Sequence, residues 1–418
     1  MRIWAGLGTV VSLAGAPVFH QDVLPVLQKH CQECHRPGEA APMPLLTYKD
    51  ARPWAKSIRE AVLTRRMPPW FAAEGHAKFS NERRLTPAEL RTLVEWADTG
   101  AREGDPRKAP KPLAFREGWN IQPDLILEMP ADFEVPAEGT VDYQYFIVPT
   151  GFTEDRWVQA IEVRPGNRAV LHHAAVFVRD PQSRWMRGAA AGVAIPAREA
   201  RGQGLFDELL DFHVPGSIPH TLPAGQAKLL KAGSDLVFQM HYTANGKSGR
   251  DRTRIGLVFA KEPPKERVVS VIVANQQFRI PPGAADHPVE ARLTLQQEAR
   301  LVALNPHMHL RGKSFEIAVR PPGGEAKTVL EVPRYDFYWQ LQYYLAEPLT
   351  LPRGTEVVCR ARFDNSPNNP RNPDASKEVR WGDQSWEEMM VGTVEVAIPA
   401  AMNVIDLYRP RPAAGARQ

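Results

Sequence analysis

Two different spacings of apolar residues divide the chain. Residues 18 to 104 follow the helical period. "FHQDVLPVLQKHC" predicts a short apolar-faced helix, and from Asp50 to Arg66 the apolar positions Trp54, Ile58, Ala61 and Val62 share one helical face. "LTPAELRTLVEWADTG" predicts a further helix with Thr86 as N-cap, Pro87 in the first turn and Glu89 reaching back to the cap. Leu90, Leu93, Val94 and Ala97 form its buried side, and Gly100 ends it. "AREGDPRKAPKPLAF" reads as an extended linker, which we place over residues 105–119. Beyond it the period falls to two. Runs such as "YQYFIV", "AVLHHAAVFV", "DLVFQMHY", "VVSVIVA", "RLVALNPHMHL", "EVVCRARF" and "GTVEVAI" are split by Pro, Gly, Asn and Asp. This pattern predicts a small all-α domain followed by two all-β sandwich or jelly-roll domains, 120–266 and 267–411, divided near "KEPPKERV".

Composition changes that picture little. With 24% charged and 43% hydrophobic residues in 418, the chain has ample material for several cores. A net charge of +4 gives no argument for nucleic acid, and no stretch approaches the length of a membrane-spanning helix. The N-terminus, one Arg, an apolar run and then Ala-Gly-Ala, resembles a short secretory signal over residues 1–16. The expected setting is therefore periplasmic or secreted.

Of the three cysteines, Cys31 and Cys34 belong to "CQECH", the C-x-x-C-H signature of covalent c-type haem, with His35 as an axial iron ligand. A redox disulfide pair would need a βαβ setting, and a zinc site a second ligand pair; neither is evident. Helix, haem motif, helix, loop and terminal helix make residues 18–104 similar to a class I cytochrome c. Met67, in "RRMPPW", is the expected sixth ligand, with Met43 and His76 as alternatives.

Five of the twelve histidines fall in strand-like runs: His172 and His173 as a doublet, His241, and the His307-x-His309 pair. Each alone reads as an ordinary structural histidine. Together they read as metal donors, because neutral imidazoles on rigid strands form a preorganised site. Residues two apart share a strand face, which suits His307 and His309. Adjacent residues do not, so His172 and His173 can reach one ion only if the strand ends or bulges there. Spacing leaves zinc, copper and non-haem iron open.

The succession HH, "QMHY", "HMH" and "EEMM" over residues 120 to 411 resembles the copper type II, ascorbate-dependent monooxygenases, which include the peptidylglycine α-hydroxylating and dopamine β-hydroxylating enzymes. The resemblance implies two mononuclear coppers facing each other across a solvent-filled cleft. His172, His173 and His241 match the ligands of the electron-supplying copper. His307, His309 and Met389 match the copper at which oxygen reacts, with Met390 as the register alternative. A thioether favours Cu(I) and suits zinc poorly. Gln239 also matches a glutamine of the family.

Departures matter as well. Cys359 has no disulfide partner and reads as a small buried hydrophobe. Asn305 stands where the peptide-amidating branch has the arginine that grips the substrate carboxylate, which argues against peptide C-termini. The aromatic run "YDFYWQLQYY" reads as core, and His213 and His220 read as loop residues.

The expected function is hydroxylation of a C–H bond in a small organic or peptide-like substrate by O2. An external donor would supply electrons through the fused haem. A non-catalytic copper/haem electron-transfer or copper-handling protein is the alternative. A carbohydrate- or protein-binding module carrying structural histidines is the third reading.

Overall fold

The computed structural model describes residues 15–116, 118–200 and 207–409, and the expected signal segment falls almost wholly outside them. The chain divides into two compact units. One comprises residues up to Trp70 together with Arg83–Ala114; the other comprises Phe71–Glu82 and the chain from Phe115 onward.

The first unit is helical. A π turn at Phe19–Val23 runs into the helix Leu24–His30, and Phe19, Val23, Leu27, Leu93 and Trp96 form its fully buried centre. The helix expected over Asp50–Arg66 is interrupted. Tyr48–Ala51 gives way to a 3-10 turn at Arg52–Trp54 before Ala55–Leu63 resumes, because Pro53 cannot donate to the α-helical ladder. Trp54 consequently faces solvent, while Ala55, Ile58 and Val62 are buried. The terminal helix, Pro87–Asp98, has the capping box: the Glu89 amide donates to Thr86 Oγ1 at 3.2 Å and the Thr86 amide to Glu89 Oε2 at 2.8 Å. Such a cap is worth about 1 kcal/mol. Trp96, absent from the expected face, is as fully buried as Leu93 and donates its indole N–H to the Arg102 carbonyl at 3.0 Å.

The second unit is built of stacked β-sheets. An eight-stranded sheet runs from edge to edge through Leu125–Glu128, Arg254–Phe259, Arg156–Arg164, Gln226–Leu230, Glu266–Ala274, Val391–Pro399, Ala299–His307 and Tyr343–Leu351. A five-stranded sheet, which includes Gln144–Pro149, Asp235–Tyr242 and Leu171–Arg179, shares a core with its first half through Phe146, Val158, Ile161, Val176 and Phe238. The second half is accompanied by a four-stranded sheet that includes Gly312–Arg320 and Glu356–Phe363. The two expected sandwiches therefore share one sheet. It is joined where Gln226 and Ala227 pair in parallel with Glu266 and Arg267, at the expected boundary.

Residues 71–82 interrupt the span expected for the haem domain and lie on the β-rich unit. Ala73 N–H donates to Glu331 O, Ser80 N–H to Tyr344 O, and Ala346 N–H to Lys78 O, so this segment covers edges that unpaired strands would otherwise expose. Cys359 is fully buried, and a Cβ on Gly392 would lie 2.4 Å from its Sγ. Only glycine permits that approach.

Candidate metal centre

The strand Leu171–Arg179 pairs antiparallel with Asp235–Tyr242, with His173 directly opposite His241 and Leu171 opposite Tyr242. His172 is the extra residue of a β-bulge, the irregularity that adjacent histidines need in order to reach one point. Nδ1 of His173 lies 3.1 Å from Nδ1 of His172 and 3.3 Å from Nδ1 of His241. The ligand atoms of all three fall within 4.8 Å of one another.

The outer ring nitrogens face away from that point. Nε2 of His173 is 3.3 Å from the Tyr143 hydroxyl, and Nε2 of His241 is 3.3 Å from Ser385 Oγ. His172 is stacked on Phe337, with ring centroids 4.7 Å apart, and its Nε2 is buried without a hydrogen-bond partner. Burial pushes the pKa of His172 down to about 4 and that of His241 to about 3, while His173 falls well below its usual value; neighbouring imidazoles add to the effect. All three are neutral at pH 7, and a neutral imidazole has one N–H and one lone pair. With Nε2–H directed outward, three lone pairs converge on one small space. Without a cation they repel unless a ring moves its proton to Nδ1 and donates to its neighbour. A tetrahedral ion with metal–nitrogen bonds of about 2.0–2.1 Å would set its donors about 3.3 Å apart, which the two spacings from His173 fit.

The second group is assembled differently. The strand Ala299–His307 stops at His307, so His309 is not on a continuing strand face as expected; it sits in the following turn. The Glu388 carboxylate fixes that turn by accepting the backbone N–H of His309 at 2.8 Å and of Arg311 at 2.6 Å. Burial raises the Glu388 pKa to about 8 despite those donors. Tyr335 clamps the intervening residue, accepting from Met308 N–H at 3.0 Å and donating to Met308 O at 2.8 Å. The rings of His307 and His309 still come to 5.2 Å between centroids.

Here Nδ1 faces outward. His307 Nδ1 is 2.7 Å from Gln340 Oε1, and that amide is oriented by its own Nε2 donating to Phe337 O at 3.1 Å. His309 Nδ1 is 3.3 Å from Glu387 O. Both partners only accept, so both histidines carry their proton on Nδ1 and present a lone pair on Nε2. Nε2 of His309 is buried with no partner. Burial lowers the pKa of both histidines. Met389 is half-buried and adjoins Glu388, whereas Met390 is fully buried, with its carbonyl accepting from Asn275 N–H.

The groups touch. The rings of His173 and His307 are 6.2 Å apart, and Phe337 lies against both His172 and His309. Packed rings stand where the resemblance implies a solvent-filled cleft. Gln239 bonds to the Tyr145 hydroxyl. Asn305 is buried and donates to the carbonyls of Gln340 and Leu341, each at 3.0 Å. His213 ends a strand rather than lying in a loop, while His220, in a loop, stacks on Tyr344. Sequence reasoning missed Tyr143, Phe337, Gln340 and Ser385. Phe337 and Gln340 lay within the aromatic run assigned to core packing, and nothing marked Tyr143.

In the helical unit, Cys31 and Cys34 are half-buried and form no disulfide. His35 donates from Nδ1 to the Met43 carbonyl at 3.1 Å, which leaves Nε2 as its lone-pair nitrogen. His76 belongs to the β-rich unit and pairs with Glu331 at 3.0 Å.

No protein-family model matches the chain, and no curated protein matches it. Solved structures give distant likenesses. The structure of infectious bursal disease virus Gx strain is 7% identical at a TM-score of 0.19, covering 67% of this chain and 73% of that one. A chain described as BuGH86wt in complex with neoagarooctaose is 11% identical at a TM-score of 0.15, covering 61% and 32%. The functional reading therefore rests on side chains.

Proposed function

We propose that the chain is a copper-dependent monooxygenase that hydroxylates a C–H bond of an organic substrate, with electrons entering through a c-type haem. The observation that carries this reading is the orientation of five buried, neutral imidazoles. His307 and His309 keep Nε2 free because Nδ1 of each faces an acceptor, and in the trio Nδ1 turns inward, with Nε2 of His173 and of His241 beside hydroxyl groups. Copper would be held by His172, His173 and His241 in one position, and by His307, His309 and Met389 in the other. The fully buried Met390 is the poorer candidate for the sulfur. Copper would supply one-electron steps and oxygen activation. The chain itself supplies aligned donors and a site sealed by Phe337 and Tyr143. The balance is RH + O2 + two electrons + two protons giving ROH and water.

Haem would be held through thioethers to Cys31 and Cys34, with His35 Nε2 on the iron. The Met43 carbonyl on His35 Nδ1 would fix that ring, and Met67 would supply a thioether as the second ligand. Thioether attachment also suits an extracytoplasmic setting.

The test is elemental analysis of haem-loaded protein, followed by turnover under labelled oxygen with an external reductant. Two coppers per chain and label in an organic product are expected. Copper at background level overturns the metal assignment. Label found only in water supports the electron-transfer alternative instead.

A further inference from the structure

The geometry points to a substrate rim made by Tyr338 and Trp386, and to a small neutral aromatic molecule as its ligand. This deepens the oxygenase reading and rests on it for the word substrate. In the β-rich unit the exposed large hydrophobic side chains among the described residues are Ile126, Val193, Ile272, Tyr338 and Trp386. Two are aromatic, and both belong to the stretches that hold the histidines.

Tyr338 is 50% exposed, with its ring centroid 6.0 Å from that of His172 and 5.6 Å from that of Phe337. Trp386 is 46% exposed and lies between Ser385, which contacts His241, and Glu387, whose carbonyl faces His309. Its backbone is fixed, since the Trp386 carbonyl accepts from Arg311 Nη1 at 2.8 Å. A pinned backbone with an exposed indole leaves apolar ring surface in water on the residue between those that contact His241 and His309, which apolar contact would relieve. Neither the Tyr338 hydroxyl nor the Trp386 indole N–H has a hydrogen-bond partner among the described residues. Two polar handles remain for a ligand.

Charge narrows the class. Arg371 pairs with Asp336 at 3.0 Å and covers Tyr338 at 5.1 Å. Asp142 receives Gln384 Nε2 at 3.2 Å, and Asn305 is turned inward. Among the described residues Arg371 is paired with Asp336 and Arg198 with Asp142, so an incoming carboxylate would have to displace one of these partners. Gln340 and Gln384 are committed as well, so a saccharide finds few partners for its many hydroxyls. A neutral ring with one or two hydrogen-bonding groups is what remains.

The test uses full-length, copper-loaded, haem-loaded protein without reductant, titrated with 2-naphthol, 2-naphthoate and cellobiose. Readouts are naphthyl fluorescence, equilibrium dialysis and the copper electron paramagnetic resonance signal. We expect 2-naphthol to bind at least about tenfold more tightly than 2-naphthoate, and cellobiose not to bind. Tyr338→Ala and Trp386→Ala should each weaken 2-naphthol about tenfold, with copper content unchanged and Tyr338→Phe nearer to wild type. No binding of 2-naphthol, wild-type affinity in both alanine variants, or preference for naphthoate or cellobiose overturns the rim. Rim-dependent binding to protein that takes up no copper would instead sink the oxygenase reading and leave the rim standing.

Discussion

The two histidine groups use one side chain in opposite ways. In the trio, a bulged strand and its partner hold the rings, and the outer nitrogens Nε2 of His173 and His241 face hydroxyl groups. In the pair, a strand end and a carboxylate-pinned turn hold the rings, and the outer nitrogen Nδ1 faces an amide oxygen or a carbonyl. A hydroxyl can donate or accept, whereas a carbonyl only accepts. The tautomer is therefore dictated at His307 and His309 but merely permitted in the trio, where the converging lone pairs need a cation to fix it. The trio should depend more on metal, and the pair should be more preorganised.

Removing a donor tests that contrast most severely. His173 is the member whose Nδ1 reaches both others, so His173→Ala should abolish copper at the trio and leave the second copper in place. His309→Ala should do the converse. Elemental analysis of each variant should give about one copper per chain instead of two, with circular dichroism unchanged. Loss of both ions from either variant would mean that the touching groups form a single site.

Much of this arrangement was legible in the sequence, and what was not has physical causes. The period-two pattern, the capping box at Thr86 and Glu89 and the five candidate donors are local signals, since each depends on residues close in the chain. The demand for a bulge at His172 followed from strand geometry alone. The orienting residues are another matter. Gln340 reaches His307 across 33 positions and Tyr143 reaches His173 across 30. No periodicity encodes such pairs. Trp96, three positions after Leu93, does share the buried helical face, and the Arg102 carbonyl in the turn after the helix satisfies its indole N–H. The excursion of residues 71–82 was hidden as the orienting pairs were: it makes strand-like bonds to partners more than two hundred positions away.

Removing an orienting group should have a smaller effect, and an unequal one. Gln340→Ala takes away the acceptor that holds the His307 proton on Nδ1, freeing the ring to turn. Loss of such an outer partner typically costs about 10–100-fold in metal affinity. Tyr143→Phe keeps the ring that packs on His241, with centroids 4.5 Å apart, and removes only a hydroxyl. Its effect should be about tenfold or less. Competition with a copper chelator, site by site, measures both. A larger loss from Tyr143→Phe would reverse the assignment of which group is preorganised by the protein.

Acidification gives the gentlest test and separates the groups by order. Burial depresses the folded-state pKa of these histidines below the unfolded value of about 6.5. Above that value neither state takes up a proton at these histidines, so they add no pH dependence there; Glu388, held up to about 8, adds a separate slope of opposite sign. Below the unfolded histidine value the unfolded chain binds more protons at these rings, so their contribution to stability falls as pH drops, by up to about 1.4 kcal/mol per pH unit for each such imidazole. The fall continues toward the folded values, about 4 for His172 and about 3 for His241. Urea unfolding of metal-free Glu388→Gln protein, in which the opposing carboxyl slope is removed, should show this decline beginning near 6.5 from pH 8 to pH 5. In copper-loaded protein the same shifts delay competition by protons, but not equally. Gln340 stabilises the imidazolium of His307 and opposes the effect of burial, whereas the trio has no such acceptor. The copper at His307 and His309 should therefore leave at the higher pH on stepwise dialysis, followed by elemental analysis and the spin-resonance signal. If the trio empties first, its imidazoles are more solvated than their packing implies, and the convergence of three lone pairs loses its force as an argument for a cation.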